Sequence, residues 1–235
     1  MHFVELVPRN VEECIEIASD IMGRFDDVTG INIPDILRVP HRSHDVVEKL
    51  LDAGINGLPH IRTIDRPVAD TVDMIAKLVD KGLKQVLLIS GDIPSSPSHK
   101  IYESPPEEVI EATKKRFPKL DVYAGLDPYR NNLRQEFAII QRRKNAGADG
   151  FFTQPFFCPT LATFYLSQLK DTQVFIGISP ILTEGSLDYW KTRNQAVLPP
   201  DFQIDFSENI QTAKTLIHCS ESAGQHVYFM PIRAP

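Results

Sequence analysis

One carboxylate, Glu5, stands inside the apolar run Phe3-Val4-Glu5-Leu6-Val7. A carboxyl group shielded from water keeps its proton to higher pH and can act as a general acid near neutrality. An ion pair with a basic residue across the core is the alternative use of the same group. Ser90-Gly91-Asp92 follows the apolar run Val86-Leu87-Leu88-Ile89. Glycine lets a flat ligand approach the backbone, and an aspartate accepts hydrogen bonds from ring N–H groups, although the same aspartate can simply shape a turn. Gln154, in Phe151-Phe152-Thr153-Gln154-Pro155-Phe156-Phe157, offers a donor and an acceptor in an aromatic setting. That suits a heteroaromatic ligand of mixed polarity such as a pterin, while Phe156 and Phe157 can equally be core. His60, after Pro59, could donate to a cofactor ring or phosphate, or pack as a structural histidine. Arg142 and Arg143 could reach a phosphate, or belong to a solvated helix face. No second histidine at metal spacing accompanies His60, and neither H-E-x-x-H nor C-x-x-C occurs, so a metal site is not expected.

These residues need elements to hold them. Short apolar runs rich in β-branched and aromatic residues predict strands at 3–7, 28–32, 58–64, 85–90, 121–126, 150–154, 174–179 and 226–231. Between them, helical periodicity covers 11–25 and 70–82, a third helix at 104–117 with Ser104 as its cap, a fourth at 134–147 ending on Gly147, and a last one at 207–224 opening with Ser207. Strand–helix alternation leaves a closed barrel or an open doubly wound sheet. Eight strands, and no G-x-G-x-x-G turn after the first, favour a single (β/α)8 barrel spanning 1–235. Residues 198–206 are the least regular stretch and are expected as a loop over the barrel mouth. Functional side chains of such barrels sit at strand C-termini. Glu5, Asn32, His60, Arg62, Ser90, Asp92, Asp127, Gln154 and Arg233 all fall there and should converge.

A chain of 235 residues, 42% of them hydrophobic, is long enough for such a barrel and too apolar for disorder. The absence of an apolar run of ~18 residues argues against a membrane span, and the opening residues lack the basic start and long apolar stretch of a signal peptide. A net charge of −6 without a basic block argues against a nucleic-acid partner. Cys14, Cys158 and Cys219 are too scattered for a disulfide framework or a zinc ribbon, which points to a reducing cytoplasm.

The segments VELVPR, VTGINIPDILR, LPHIRTIDRP, LLISGDIP, DVYAGLDP, AGADGFFTQPFF, GISPIL and HVYFMPI together resemble, in order, the methylenetetrahydrofolate reductase family. The combination P-H-x-x-T, G-D-x-P and A-G-A-D-x-x-x-T-Q-x-F-F carries the resemblance. It implies a barrel that uses FAD to move a hydride from NAD(P)H to methylenetetrahydrofolate. It also implies that Glu5 protonates the bridging nitrogen of the folate, that Asp92 lies near flavin and pterin, and that Gln154 binds folate. The expected cofactor contacts are His60, Ser90, Gly91, Asp92, Arg142 and Arg143. The chain departs from the family at Leu126-Asp127-Pro128-Tyr129-Arg130, where a tyrosine and a histidine loop are usual, and at Ile31 and Ile139. These changes fall on the flavin side. They leave open a flavin-free folate-binding protein that transfers a methyl or methylene group, alone, as a homo-oligomer or beside a partner subunit. A barrel with aldol or decarboxylase chemistry on another substrate is the third possibility.

Overall fold

In the computed structural model, which describes residues 1–94, 96 and 99–231, eight parallel strands close a barrel in sequence order. The strands are β1 (His2–Glu5), β2 (Val28–Ile33), β3 (Gly57–Arg62), β4 (Gln85–Ile89), β5 (Asp121–Leu126), β6 (Gly150–Pro155), β7 (Gln173–Ile178) and β8 (His226–Phe229). Every expected strand is present. β3 stops at Arg62 because Thr63–Asp65 form a 3-10 turn, and β8 stops before Pro231, which has no N–H for the ladder. Around the barrel lie α1 (Val11–Arg24), α2 (Ser43–Asp52), α3 (Val68–Asp80), α4 (Pro106–Arg116), α5 (Leu133–Asn145), α6 (Pro159–Gln168), α7 (Glu184–Asp188) and α8 (Phe206–Ser222).

Two helix starts differ from expectation. Ser104 does not cap α4; its hydroxyl donates to the Arg66 carbonyl at 2.8 Å. The helix opens instead after Pro105 with Pro106 in its first turn, where a missing N–H costs nothing. Likewise α8 begins one residue before Ser207, because Asp205 supplies the cap and accepts from the Glu208 N–H at 2.8 Å. Residues 198–205 carry no helix or strand, as expected of a loop, and Leu198, Phe202 and Ile204 pack on the aromatic cluster of the barrel interior.

Strand residues alternate between two cores. One set, including Ile31, Ile61, Val86, Leu88, Val122, Val174 and Val227, faces the helices. The other set, Phe3, Leu58, Leu87, Tyr123, Phe152, Phe175 and Tyr228, fills the barrel interior. Phe152 and Phe175 stack at 4.1 Å with planes 2° apart, and Phe3 meets both edge-on. The interior has room for the Phe3 ring only because residue 30 is glycine. A Cβ there would lie 2.4 Å from Phe3 Cε1 and 2.9 Å from Asn56 Nδ2.

This close approach yields a paired prediction. Gly30→Ala should lower the unfolding free energy by about 1–3 kcal/mol, as overpacking does. Gly23→Ala, late in α1 with nothing within 4 Å of the new carbon, should raise it by up to about 1 kcal/mol. Urea unfolding followed by circular dichroism measures both, and equal effects would refute the packing argument.

Candidate active site

Strand side chains repeat every second residue on one face. The residues one step above the aromatic interior are therefore fixed on the regular strands: Glu5 follows Phe3 and His60 follows Leu58, while Gln154 lies beyond Phe152 where β6 and β7 lose register. They border a cavity of about 400 Å³ at the C-terminal mouth of the barrel. Ser90, Gly91, Asp92, Asp127 and Arg143 border it too, as do Arg130, Glu136, Tyr189, Trp190 and Tyr228, which the sequence did not single out. Arg142 is not among them. Successive helix residues point about 100° apart, so when Arg143 turns inward Arg142 turns out, 60% exposed and 3.8 Å from Glu107. Arg233 lies outside the described residues.

Glu5 sits on the cavity floor and accepts a hydrogen bond from the Tyr228 hydroxyl. Burial pushes its carboxyl up to about 7, and the Tyr228 bond only partly offsets this. The phenol of Tyr228 is itself raised well above its ordinary value by burial and by Glu5. No motif announces Tyr228; its ring is core. The signal is topological: β8 pairs with β1, with Val4 opposite Phe229. Next to this pair, burial lowers His60 to about 4, so its imidazole is neutral at physiological pH. The Asn32 amide nitrogen lies 3.2 Å from His60 Nε2. Asn32 Oδ1 is buried and without a protein partner.

The β4 turn is held from β3. Arg62 donates to the Asp92 carbonyl at 2.6 Å and through Nε to Asp65 at 3.1 Å. Gly91 has φ 82°, and a Cβ on it would lie 2.8 Å from Arg62 Cζ, so both backbone and space require glycine. Behind the turn, Arg42 bridges Asp35 and Asp65, with 2.6 Å contacts to each. Burial alone would raise Asp65, but hydrogen bonds from Arg62 and Arg42 outweigh it and hold the carboxyl below its ordinary range. The Asp92 carboxylate is 80% exposed and meets Arg130 at 3.0 Å. Asp127, raised mainly by burial, lies 3.6 Å from the same guanidinium. Glu136 is buried and accepts from the Asp127 N–H and the Asn131 amide. Arg143 donates to the Gly125 carbonyl at 2.5 Å.

The dinucleotide implied by the family resemblance can be tested on this charge pattern. Five carboxylates (Glu5, Asp35, Asp92, Asp127, Glu136) and three guanidiniums (Arg62, Arg130, Arg143) border the cavity. Arg62 and Arg130 are paired with Asp65 and Asp92, whereas Arg143 donates once, to the Gly125 carbonyl, and its buried Nε has no hydrogen-bond partner. A pyrophosphate adds negative charge and needs free charge-assisted donors. Arg143 therefore keeps a donor that a phosphate oxygen could take, and Asp92 and Gln154 supply acceptors and a donor for a flat ring at the same mouth.

Residues 7–219 match the family profile of methylenetetrahydrofolate reductase. No curated protein matches the chain. Among solved structures, 2,3-dimethylmalate lyase, a PEP mutase/isocitrate lyase superfamily member, is similar with a TM-score of 0.63 at 10% identity, covering 100% of this chain and 75% of that one. Yersinia pestis DHPS with a pterine-sulfa conjugate is similar with a TM-score of 0.54 at 15% identity, covering 98% and 86%. An aldolase, QR15, has a TM-score of 0.59 at 10% identity, covering 96% and 87%. At these identities the likeness is one of fold.

Glu5 makes stability depend on pH. Its carboxyl titrates near 4.5 ordinarily and near 7 in the fold. A proton held more tightly by the fold stabilises it fully below the lower value, and that contribution is lost as pH rises through the upper one. Relative to wild type, Glu5→Gln should therefore gain about 2–3 kcal/mol between about pH 4.5 and pH 8. Denaturant titrations across that range measure the difference; parallel stability curves would mean an ordinary carboxyl.

Proposed function

Because the chain belongs to the methylenetetrahydrofolate reductase family, we propose that it reduces the methylene bridge of a tetrahydrofolate, or of a related pterin, to a methyl group. The observation that carries this reading is the buried Glu5 carboxyl on the cavity floor, pushed up to about 7. Glu5 lies two residues before the matched stretch, so its role is argued from geometry alone.

A methylene group bound to two nitrogens accepts a hydride only after one C–N bond opens. Opening leaves an electron pair on the departing nitrogen, and a proton delivered there lowers the barrier. Because burial disfavours its charge and pushes it up to about 7, Glu5 keeps that proton in about half of the molecules at neutral pH. Once it has given the proton up, the Tyr228 hydroxyl stabilises the carboxylate. The remaining methylene iminium is cationic, and hydride addition at its carbon yields the methyl group. His60 stays neutral and puts no opposing charge beside that cation. Asp92 and Gln154 pair with the N–H and C=O groups of the pterin and set its orientation. The hydride donor in this proposal is a reduced nicotinamide, NADH or NADPH.

A second reading is a flavin-free protein that binds folate and passes a methyl or methylene group to a partner subunit. The departures from the family pattern at residues 126–130, Ile31 and Ile139 favour it.

Two measurements bear on these readings. Glu5→Gln keeps the shape and loses the proton, so turnover should fall by about 10²–10⁴-fold with folate binding retained. Turnover within a few-fold of wild type would remove Glu5 from the mechanism. Separately, NADH or NADPH oxidation with methylenetetrahydrofolate should proceed with colourless protein and no added FAD. If no oxidation occurs with or without FAD while reduced folate still binds, the transfer reading replaces the reductase.

A further inference from the structure

We propose that Thr153 is a positioning residue that sets the orientation of Gln154 towards the pterin. This rests on the reading of Gln154 as a ligand contact. β6 and β7 run in register as far as Phe152 opposite Phe175, but Pro155 then lies opposite Gly177. Three steps along β6 match two along β7, which is a bulge of one residue. Bulges near active sites re-aim side chains. Thr153 and Gln154, the two residues inside the bulge, both border the cavity.

The Thr153 side chain does the work of the missing ladder bonds. Its hydroxyl oxygen accepts from the Gly177 N–H at 2.8 Å. The same hydroxyl donates to the Gln154 carbonyl at 2.8 Å. The ladder resumes with the Phe156 N–H on the Gly177 carbonyl at 3.0 Å. Gly177 closes the clamp from the other side, since a Cβ there would lie 2.6 Å from the Thr153 carbonyl oxygen and 2.9 Å from the Gln154 carbonyl carbon. The peptide that carries Gln154 is thus fixed by one hydroxyl and one absent side chain. Thr153 is itself buried. Serine could reproduce the bonds; valine keeps the shape and loses both.

The experiment is a double-mutant cycle read by calorimetry as the Kd for 5-methyltetrahydrofolate. Thr153→Val should weaken binding by a few-fold to about tenfold, the worth of one hydrogen bond. Thr153→Ser should restore near wild-type affinity. In a Gln154→Ala background, Thr153→Val should cost nothing further, because its effect passes through Gln154. A role in holding the sheet alone would lower the melting temperature without producing this coupling. If Thr153→Val fails to fold, Thr153→Ala removes the same hydroxyl and is read on the same cycle. The proposal is overturned if Gln154→Ala weakens binding and loss of the hydroxyl does not, or if the two effects simply add. If Gln154→Ala leaves affinity unchanged, the reading of Gln154 fails first and takes the proposal with it.

Discussion

The structure depends on how a closed barrel fills its own interior. Parallel strands present every second residue inward, and here those residues are mostly aromatic: Phe3, Tyr123, Phe152, Phe175 and Tyr228. Edge-to-face and stacked contacts join them into one plug. Aromatic pairs of this kind add stabilisation beyond their buried area. The plug also determines what can stand above it. The next inward positions have protein beneath them and a narrow cavity above, so a polar residue there is partly stripped of water. Glu5 and His60 are shifted in opposite senses for this one reason: each is pushed towards its neutral form.

A second constraint acts at the rim. Asp35, Arg42, Asp65 and Arg62 form a chain of close ion pairs between β2, β3 and the β4 turn. Such a chain is not a strong argument for stability, since taking charges out of water offsets most of their attraction. Removing one member would instead leave its partner buried and uncompensated. The chain therefore specifies geometry. It fixes Arg62, Arg62 fixes the Asp92 carbonyl, and Gly91 is the only residue type that tolerates the guanidinium at that distance. Asp92 itself remains exposed, held by its backbone and free at its carboxylate to meet a ligand or Arg130.

Much of this was legible in the sequence because buried parallel strands are written as apolar runs. All eight were readable, and with them the strand-end positions of Glu5, His60, Asp92 and Gln154. The helices were less so. α2 and α6 are only ten residues each, and α7 is five residues running into a π turn at Tyr189–Arg193, too short for a periodic pattern to stand out. The site residues that escaped notice are those defined by partners far away in the chain. Tyr228 matters because β8 closes onto β1, and Arg130 because it reaches Asp92 across two strand ends. Arg142 and Arg143 could not be told apart until the rotation of α5 was known. The Thr153 hydroxyl looked like part of a motif and turned out to replace a backbone bond.

Charge around the cavity is balanced pair by pair. Asp35 meets Arg42, Asp65 meets Arg42 and Arg62, and Asp92 and Asp127 share Arg130. Glu5 is bonded to the Tyr228 hydroxyl and not to a guanidinium. Burial without a cation to oppose it is what raises this carboxyl to about 7. Under the proposed reaction the same surroundings act twice. They favour the protonated acid until the departing nitrogen takes the proton, and they leave the resulting carboxylate as a counter-charge for the methylene iminium. A guanidinium bonded to Glu5 would instead favour its ionised form before the reaction and oppose the cation during it, so acid catalysis here depends on the cations being held in pairs at the rim.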